Sequence, residues 1–140
     1  MINLHQKLEI ELDNIEKTMK ELPNSSACIK CSTLELGGVA ALLHKLYNGI
    51  EKTLKFVIKD RNISIPKGPS WHKDLINVAV ENKIIENNTA QIIKQYLAFR
   101  HFFINSYVVN LEAERLKPLL DDANILYKSF KHDLKCQIAS

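Results

Sequence analysis

Apolar residues recur along this chain at helical spacing. Leu4, Leu8, Leu12, Ile15, Met19 and Leu22 step by three and four, which makes one stripe on a helix of about twenty residues. Pro23-Asn24-Ser25-Ser26 ends that helix and offers cap residues to the next. A second helix is expected over about residues 28–60, striped by Leu36, Val39, Leu43, Leu46, Ile50, Leu54 and Val57. Gly37-Gly38 lies inside it, at roughly 1 kcal/mol per glycine relative to alanine. Such a pair is tolerated where another backbone comes close or where the helix bends. Arg61-Asn62 and Pro66-Lys67-Gly68-Pro69 mark a loop, and Ser70 is the expected N-cap of a third helix from Trp71 to about Ile85. Asn87-Asn88-Thr89 is the next break. A fourth helix is expected over about residues 89–110 and a fifth from about Glu112 to Lys135, with Pro118 at an early turn or a kink. No alternating strand pattern and no internal repeat interrupts this order. The expected class is all-α, a compact up-and-down bundle of four to five helices formed by residues 1–140 as one domain.

The fourth helix carries two apolar stripes. Ile92, Tyr96, Phe99 and Phe103 form one, and Ile93, Leu97, Ile104, Val108 and Leu111 form a second about 100° away. A helix apolar on two sides is buried twice, once in the core and once against a neighbouring helix or a second copy of the chain. The second stripe therefore predicts a homodimer, paired about a two-fold axis. Beside the stripes stand Arg100, His101, Asn105 and Tyr107. His101 and Asn105 are one helical turn apart, and Arg100 and Tyr107 are two turns apart. Such groups are costly to desolvate on so apolar a helix unless they are paired or functional.

Composition narrows the picture. At 140 residues, with 46% apolar side chains, the chain can bury one real core. No stretch approaches 18 consecutive apolar residues, which excludes a membrane span. The N-terminus lacks the pattern of a secretory signal, so the expected compartment is the cytoplasm. A net charge of +3 without a block of Lys or Arg is mild for a surface that grips nucleic acid by charge alone. Arg is the usual fork for phosphate, and there are only three: Arg61, Arg100 and Arg115. Cys28, Cys31 and Cys136 are an odd count, which argues against a disulfide framework. Cys28-Ile29-Lys30-Cys31 lacks the βαβ context of a redox motif. As a metal site it would need His132 and Cys136 from far along the chain. The pair reads as incidental, and no metal or organic cofactor is expected. There is no P-loop, G-x-G-x-x-G, G-x-S-x-G or H-E-x-x-H.

Phe99-Arg100-His101-Phe102-Phe103-Ile104-Asn105-Ser106-Tyr107 resembles the HEPN superfamily of nucleotide-binding helical domains, specifically its HepT-like branch, which carries Arg-x4-His-x-Tyr on a late helix. Three further stretches resemble that branch in the right order. They are Leu46-Tyr47-Asn48-Gly49-Ile50-Glu51-Lys52, Pro66-Lys67-Gly68-Pro69-Ser70-Trp71-His72-Lys73-Asp74-Leu75, and the segment Leu111-Glu112-Ala113-Glu114-Arg115-Leu116-Lys117-Pro118-Leu119-Leu120. Together these span roughly residues 36–120.

The resemblance implies a metal-independent ribonuclease that is the toxin of a toxin–antitoxin pair. It implies a homodimer whose two motifs line one cleft, and a minimal nucleotidyltransferase antitoxin that adenylylates the motif tyrosine, here Tyr107. In such a site Arg100 would hold the scissile phosphate, and the motif histidine would take a proton from the ribose 2′-hydroxyl. This chain departs from the pattern at that histidine. The position is Asn105, and an amide cannot accept and return a proton near neutral pH. Ile104 also stands where many relatives carry a basic residue. Either catalysis is impaired or His101 takes over. The alternative is a non-catalytic module whose cleft docks RNA, a nucleotide or the nucleotidyltransferase. A bare structural bundle is a third reading.

Tyr47 and Glu51, one turn apart on the second helix, and His72 are further candidates to line the cleft. Packing alone would also account for Tyr47, and His72 could instead close the loop before its helix. Trp71 is expected in the core, and Arg61 and Arg115 are expected to be structural or solvated.

Overall fold

The computed structural model describes residues 2–105 and 111–138, with side chains through residue 136. The described residues form helices and connections without strands, in the order α1 (Leu4–Lys20), α2 (Ser25–Cys28), α3 (Thr33–Asp60), α4 (Trp71–Glu81), α5 (Asn87–Asn105) and α6 (Ala113–Ile138). The all-α bundle expected from periodicity is present. It has six helices rather than four or five, and the extra one is the four-residue α2.

The break before α3 has a local cause. Ser32 Oγ accepts from the Glu35 N–H at 3.2 Å, and the Glu35 carboxylate accepts from the Ser32 N–H at 2.9 Å. This reciprocal capping box starts a helix at Thr33, so the expected continuous helix over residues 28–60 is instead α2, a turn and α3. These hydrogen bonds also hold the Glu35 carboxyl below its usual range. Asn3 and Gln6 build the same box at the start of α1. At the end of α3, Asn62 takes φ 61°, and the Ile63 N–H bonds back to the Ile58 carbonyl at 3.1 Å. This left-handed stop satisfies the last carbonyls of the helix. Gly68, at φ 104°, turns the following loop into α4. Ser70 occupies the N-cap position of α4 as expected, but its hydroxyl bonds the Asp74 carboxylate at 3.1 Å rather than a backbone N–H.

Helix α3 is the spine, in contact with α1, α4, α5 and α6. Its buried set includes Leu43, Leu46, Ile50, Leu54 and Ile58, each essentially inaccessible. From α1 it receives Leu8, Leu12 and Ile15. Helices α1 and α3 approach closely at Gly49, where a Cβ would lie 2.8 Å from Ile15 Cγ1. Gly38, by contrast, faces open space, so no close approach occurs at that residue of the pair.

Helix α5 buries Thr89, Ala90, Ile93, Tyr96 and Phe99. One core face therefore draws on both expected stripes: Ile93 belongs to the core rather than to a second contact surface. Leu97 is half-buried and Ile104 is 52% exposed, while Val108 lies outside the described residues. Two ties from α6 hold α5. Asp133 Oδ2 accepts from the Glu86 N–H at 3.1 Å and from Thr89 Oγ1 at 2.7 Å, and so caps the start of α5 from another helix. Tyr96 Oη donates to the Leu119 carbonyl at 2.6 Å. No described helix is long and apolar enough to cross a membrane.

The two glycine environments give opposite expectations. Gly38→Ala should stabilise the protein by about 0.5–1 kcal/mol, because it removes glycine's backbone freedom at no steric cost. Gly49→Ala should destabilise it, since overpacking against Ile15 costs about 1–3 kcal/mol and exceeds the propensity gain. Urea unfolding of the two variants beside the parent checks the contrast.

Candidate functional site

Helix α3 places His44, Tyr47 and Glu51 at i, i+3 and i+7, along one side. Tyr47 and Glu51 are buried, at 1% and 8% exposure. A buried carboxylate must be compensated, and Glu51 Oε2 is bonded twice. Tyr47 Oη donates to it at 2.8 Å, and His72 Nδ1 from the first turn of α4 lies 2.6 Å away. Against an ionised carboxylate, which has no proton to give, Nδ1 is the nitrogen that carries hydrogen. His72 Nε2 then has no protein partner among the described residues. The His72 side chain retains 18% exposure. Trp71 covers one face of its ring, with centroids 3.6 Å apart, and Lys55 Nζ sits 4.0 Å above the Trp71 ring.

Arg100 reaches the same cluster from α5. Its charge acts on His44 and on Tyr47, the two groups that also feel Glu51. Burial and the Glu51 carboxylate push the Tyr47 hydroxyl far above its usual range, while Arg100 opposes them. Burial, seconded by Arg100, lowers the His44 imidazole, and Glu51 opposes. The Arg100 Nε and His44 Nε2 atoms are buried without a hydrogen-bond partner among the described residues. The His44 ring leans on Phe103, with centroids 5.6 Å apart.

The other two arginines are occupied. Arg61 Nη1 donates to the Asn82 carbonyl at the end of α4, at 2.7 Å, and the Arg115 guanidinium lies 3.8 Å from the Phe102 ring centre. Among the described residues, the Arg100 guanidinium alone of the three has no hydrogen bond, ion pair or aromatic ring contact. A planar cation with unspent donors beside a carboxylate–imidazole pair can bind an oxyanion and present it to a base.

Of the residues singled out by sequence, Tyr47, Glu51 and His72 are joined by hydrogen bonds, and Arg100 acts on Tyr47 through its charge. His101 and Asn105 are exposed and stand apart from the cluster. Asn105 Nδ2 donates to the His101 carbonyl at 2.8 Å, a helix-end bond within one turn. Tyr107 lies outside the described residues. His44 was missed by sequence reasoning; it shares one side of α3 with Tyr47 and Glu51, but that spacing is no motif in itself. Cys28 is buried and Cys136 exposed. No group of three or more His, Cys, Asp or Glu residues suited to a metal ion occurs among the described residues.

A family model described as HepT-like protein matches residues 38–139. That stretch contains every member of the cluster and excludes α1. Comparison with curated proteins and with solved structures gives no match.

The His44 environment has a consequence for stability. Its folded-state pKa lies below the ordinary 6.5, so between the two values the unfolded chain binds more protons. The stabilisation is therefore present above about pH 6.5 and is lost as pH falls through the folded value. Melting temperature should drop across that window, and His44→Gln should flatten the dependence. Thermal melts at several pH values, read for both proteins, check this.

Proposed function

The chain belongs to the HepT-like family, and from that premise we propose that it is the HEPN-type toxin of a toxin–antitoxin pair, of the metal-independent endoribonuclease class, with turnover impaired by Asn105. The observation that carries this reading is the half-buried guanidinium of Arg100, without a hydrogen-bond partner among the described residues, whose charge acts on the Tyr47 that is bonded to Glu51 and so linked to His72. Buried donors without partners strengthen any oxyanion brought to them. In this reading Arg100 grips the scissile phosphate of an RNA strand, and no metal takes part. Two copies of the chain pair through the exposed side of α5, including Ile104, in the cytoplasm. A minimal nucleotidyltransferase is the antitoxin. It transfers AMP to Tyr107, which sets a bulky anion near Arg100 and competes for its charge.

A specific observation favours a second reading, a binding module that docks RNA, nucleotide or the transferase without cutting. The Asn105 amide is engaged with its own helix rather than with the cluster. The two readings separate on turnover, since Arg100 can bind phosphate in both.

Cleavage of total RNA in chelator-containing buffer should therefore be weak for the parent. Asn105→His should raise it, because a positioned base is worth about 10² to 10⁴ in rate. Arg100→Ala should remove both binding and cleavage. If Asn105→His folds and dimerises but stays inert, the binding module is the correct reading. After co-expression with a nucleotidyltransferase from the same operon, intact mass should rise by one AMP. Tyr107→Phe should abolish the increase.

A further inference from the structure

The motif position that would move a proton holds an amide, and that amide is bonded elsewhere. The cluster nonetheless contains an imidazole arranged for proton transfer. His72 is held through Nδ1 at 2.6 Å by Glu51, and Glu51 is fixed in turn by Tyr47 at 2.8 Å on the same oxygen. A buried carboxylate that accepts from one ring nitrogen fixes the tautomer and the ring orientation, and turns the other nitrogen's lone pair outward. Here that nitrogen is Nε2, without a partner among the described residues, on a side chain that keeps access to solvent. The ring is braced by Trp71, so its direction is set on two sides.

We propose that His72, oriented by Glu51, is the proton-transfer residue of this chain and stands in for the histidine that the motif lacks at Asn105. The proposal rests on the ribonuclease reading above and adds a residue to it. Arg100 holds the non-bridging oxygens of a phosphodiester. His72 Nε2 takes the proton of the adjacent ribose 2′-hydroxyl. The 2′-oxygen bonds to phosphorus, and the phosphorus–5′-oxygen bond breaks. The departing 5′-oxygen takes a proton from water, and the imidazolium returns its own to solvent. The products are a 2′,3′-cyclic phosphate and a 5′-hydroxyl end, with no oxidant, reductant or metal consumed. His72 touches the reacting atoms, whereas Glu51 is a positioning residue that acts through it.

The test combines an activity-free readout with kinetics on the full chain. Nitrogen-15 shifts of the neutral His72 ring should show hydrogen on Nδ1 and a bare Nε2, and hydrogen on Nε2 overturns the proposal. In metal-free cleavage of total RNA, at a temperature where circular dichroism shows the variant as folded as the parent, His72→Ala should lower kcat by about 10² to 10⁴ with KM nearly unchanged. Added imidazole should restore turnover in proportion to its unprotonated fraction, a response that a merely structural histidine would not give. Glu51→Gln should lower kcat without any such rescue. Parent-like cleavage by His72→Ala, or a loss that imidazole leaves untouched, overturns the assignment while the ribonuclease reading stands. A parent that is silent beside an active Asn105→His has the same consequence. If the parent and Asn105→His both bind RNA and neither cuts it, the ribonuclease reading fails and the assignment with it.

Discussion

A carboxylate buried in the middle of α3 constrains much of what surrounds it. Glu51 is 8% exposed in a helix whose neighbouring positions, Ile50 and Leu54, are shut off from water. Taking an ion out of water costs several kcal/mol even after relaxation. The two hydrogen bonds on Oε2 offset that cost, and each fixes a larger element. Tyr47 locks its ring along α3. His72 locks the first turn of α4 against α3, and it carries Trp71 and the Lys55 contact with it. Removing either partner leaves a buried charge half-compensated, which is far more costly than never burying it.

The rotation of α5 about its own axis is set by polar ties of the same kind. Asp133 fixes its start and Tyr96 fixes its middle, both against α6. With those two points held, 100° per residue decides the rest of the helix. Arg100 turns toward α3, and His101 and Asn105 turn to the exposed side. An apolar stripe alone would leave α5 free to roll by a fraction of a turn. Directional hydrogen bonds do not permit that, so the direction of Arg100 follows from ties at the start and the middle of its helix.

Much of this was legible in the sequence where one periodicity dominated. The stripe of α1 was read as Leu4 to Leu22, and the helix is Leu4–Lys20. Where two signals competed, the weaker was lost. Leu36 to Val57 is so regular that residues 28–60 read as one helix, although Ser32-Thr33-Leu34-Glu35 spells a capping box. On α5 the two apolar stripes could not be ranked by spacing, because the choice was made by Asp133 and Leu119, 44 and 23 residues away. At the cluster, Tyr47, Glu51, His72 and Arg100 could be named from motif segments, but not their geometry. His44 escaped because a single histidine on an apolar face carries no distinctive spacing until its neighbours are known to be polar and buried. Pro118 was placed at an early turn or a kink, and it stands inside α6, in its second turn.

Asn105 and Arg100 carry opposite energetic signs, and the contrast bears on what the cluster is for. Asn105 sits at the end of α5, where terminal carbonyls lack helical partners, and its amide donates to the His101 carbonyl. An exposed residue making a local bond is a low-cost occupant of that position, so its presence says little about selection on chemistry. Arg100 is a different case. A guanidinium whose Nε is buried without a partner among the described residues loses hydration and gains no hydrogen bond from them to replace it. Glu51, whose charge acts on the same Tyr47 as that of Arg100, is bonded to Tyr47 and His72 and not to Arg100. Lys or Gln would fill similar space with fewer fixed donors, and an apolar residue would remove the penalty. An anion arriving from outside would supply the partner that the described residues do not give Arg100, which is the energetic basis of the proposed phosphate grip.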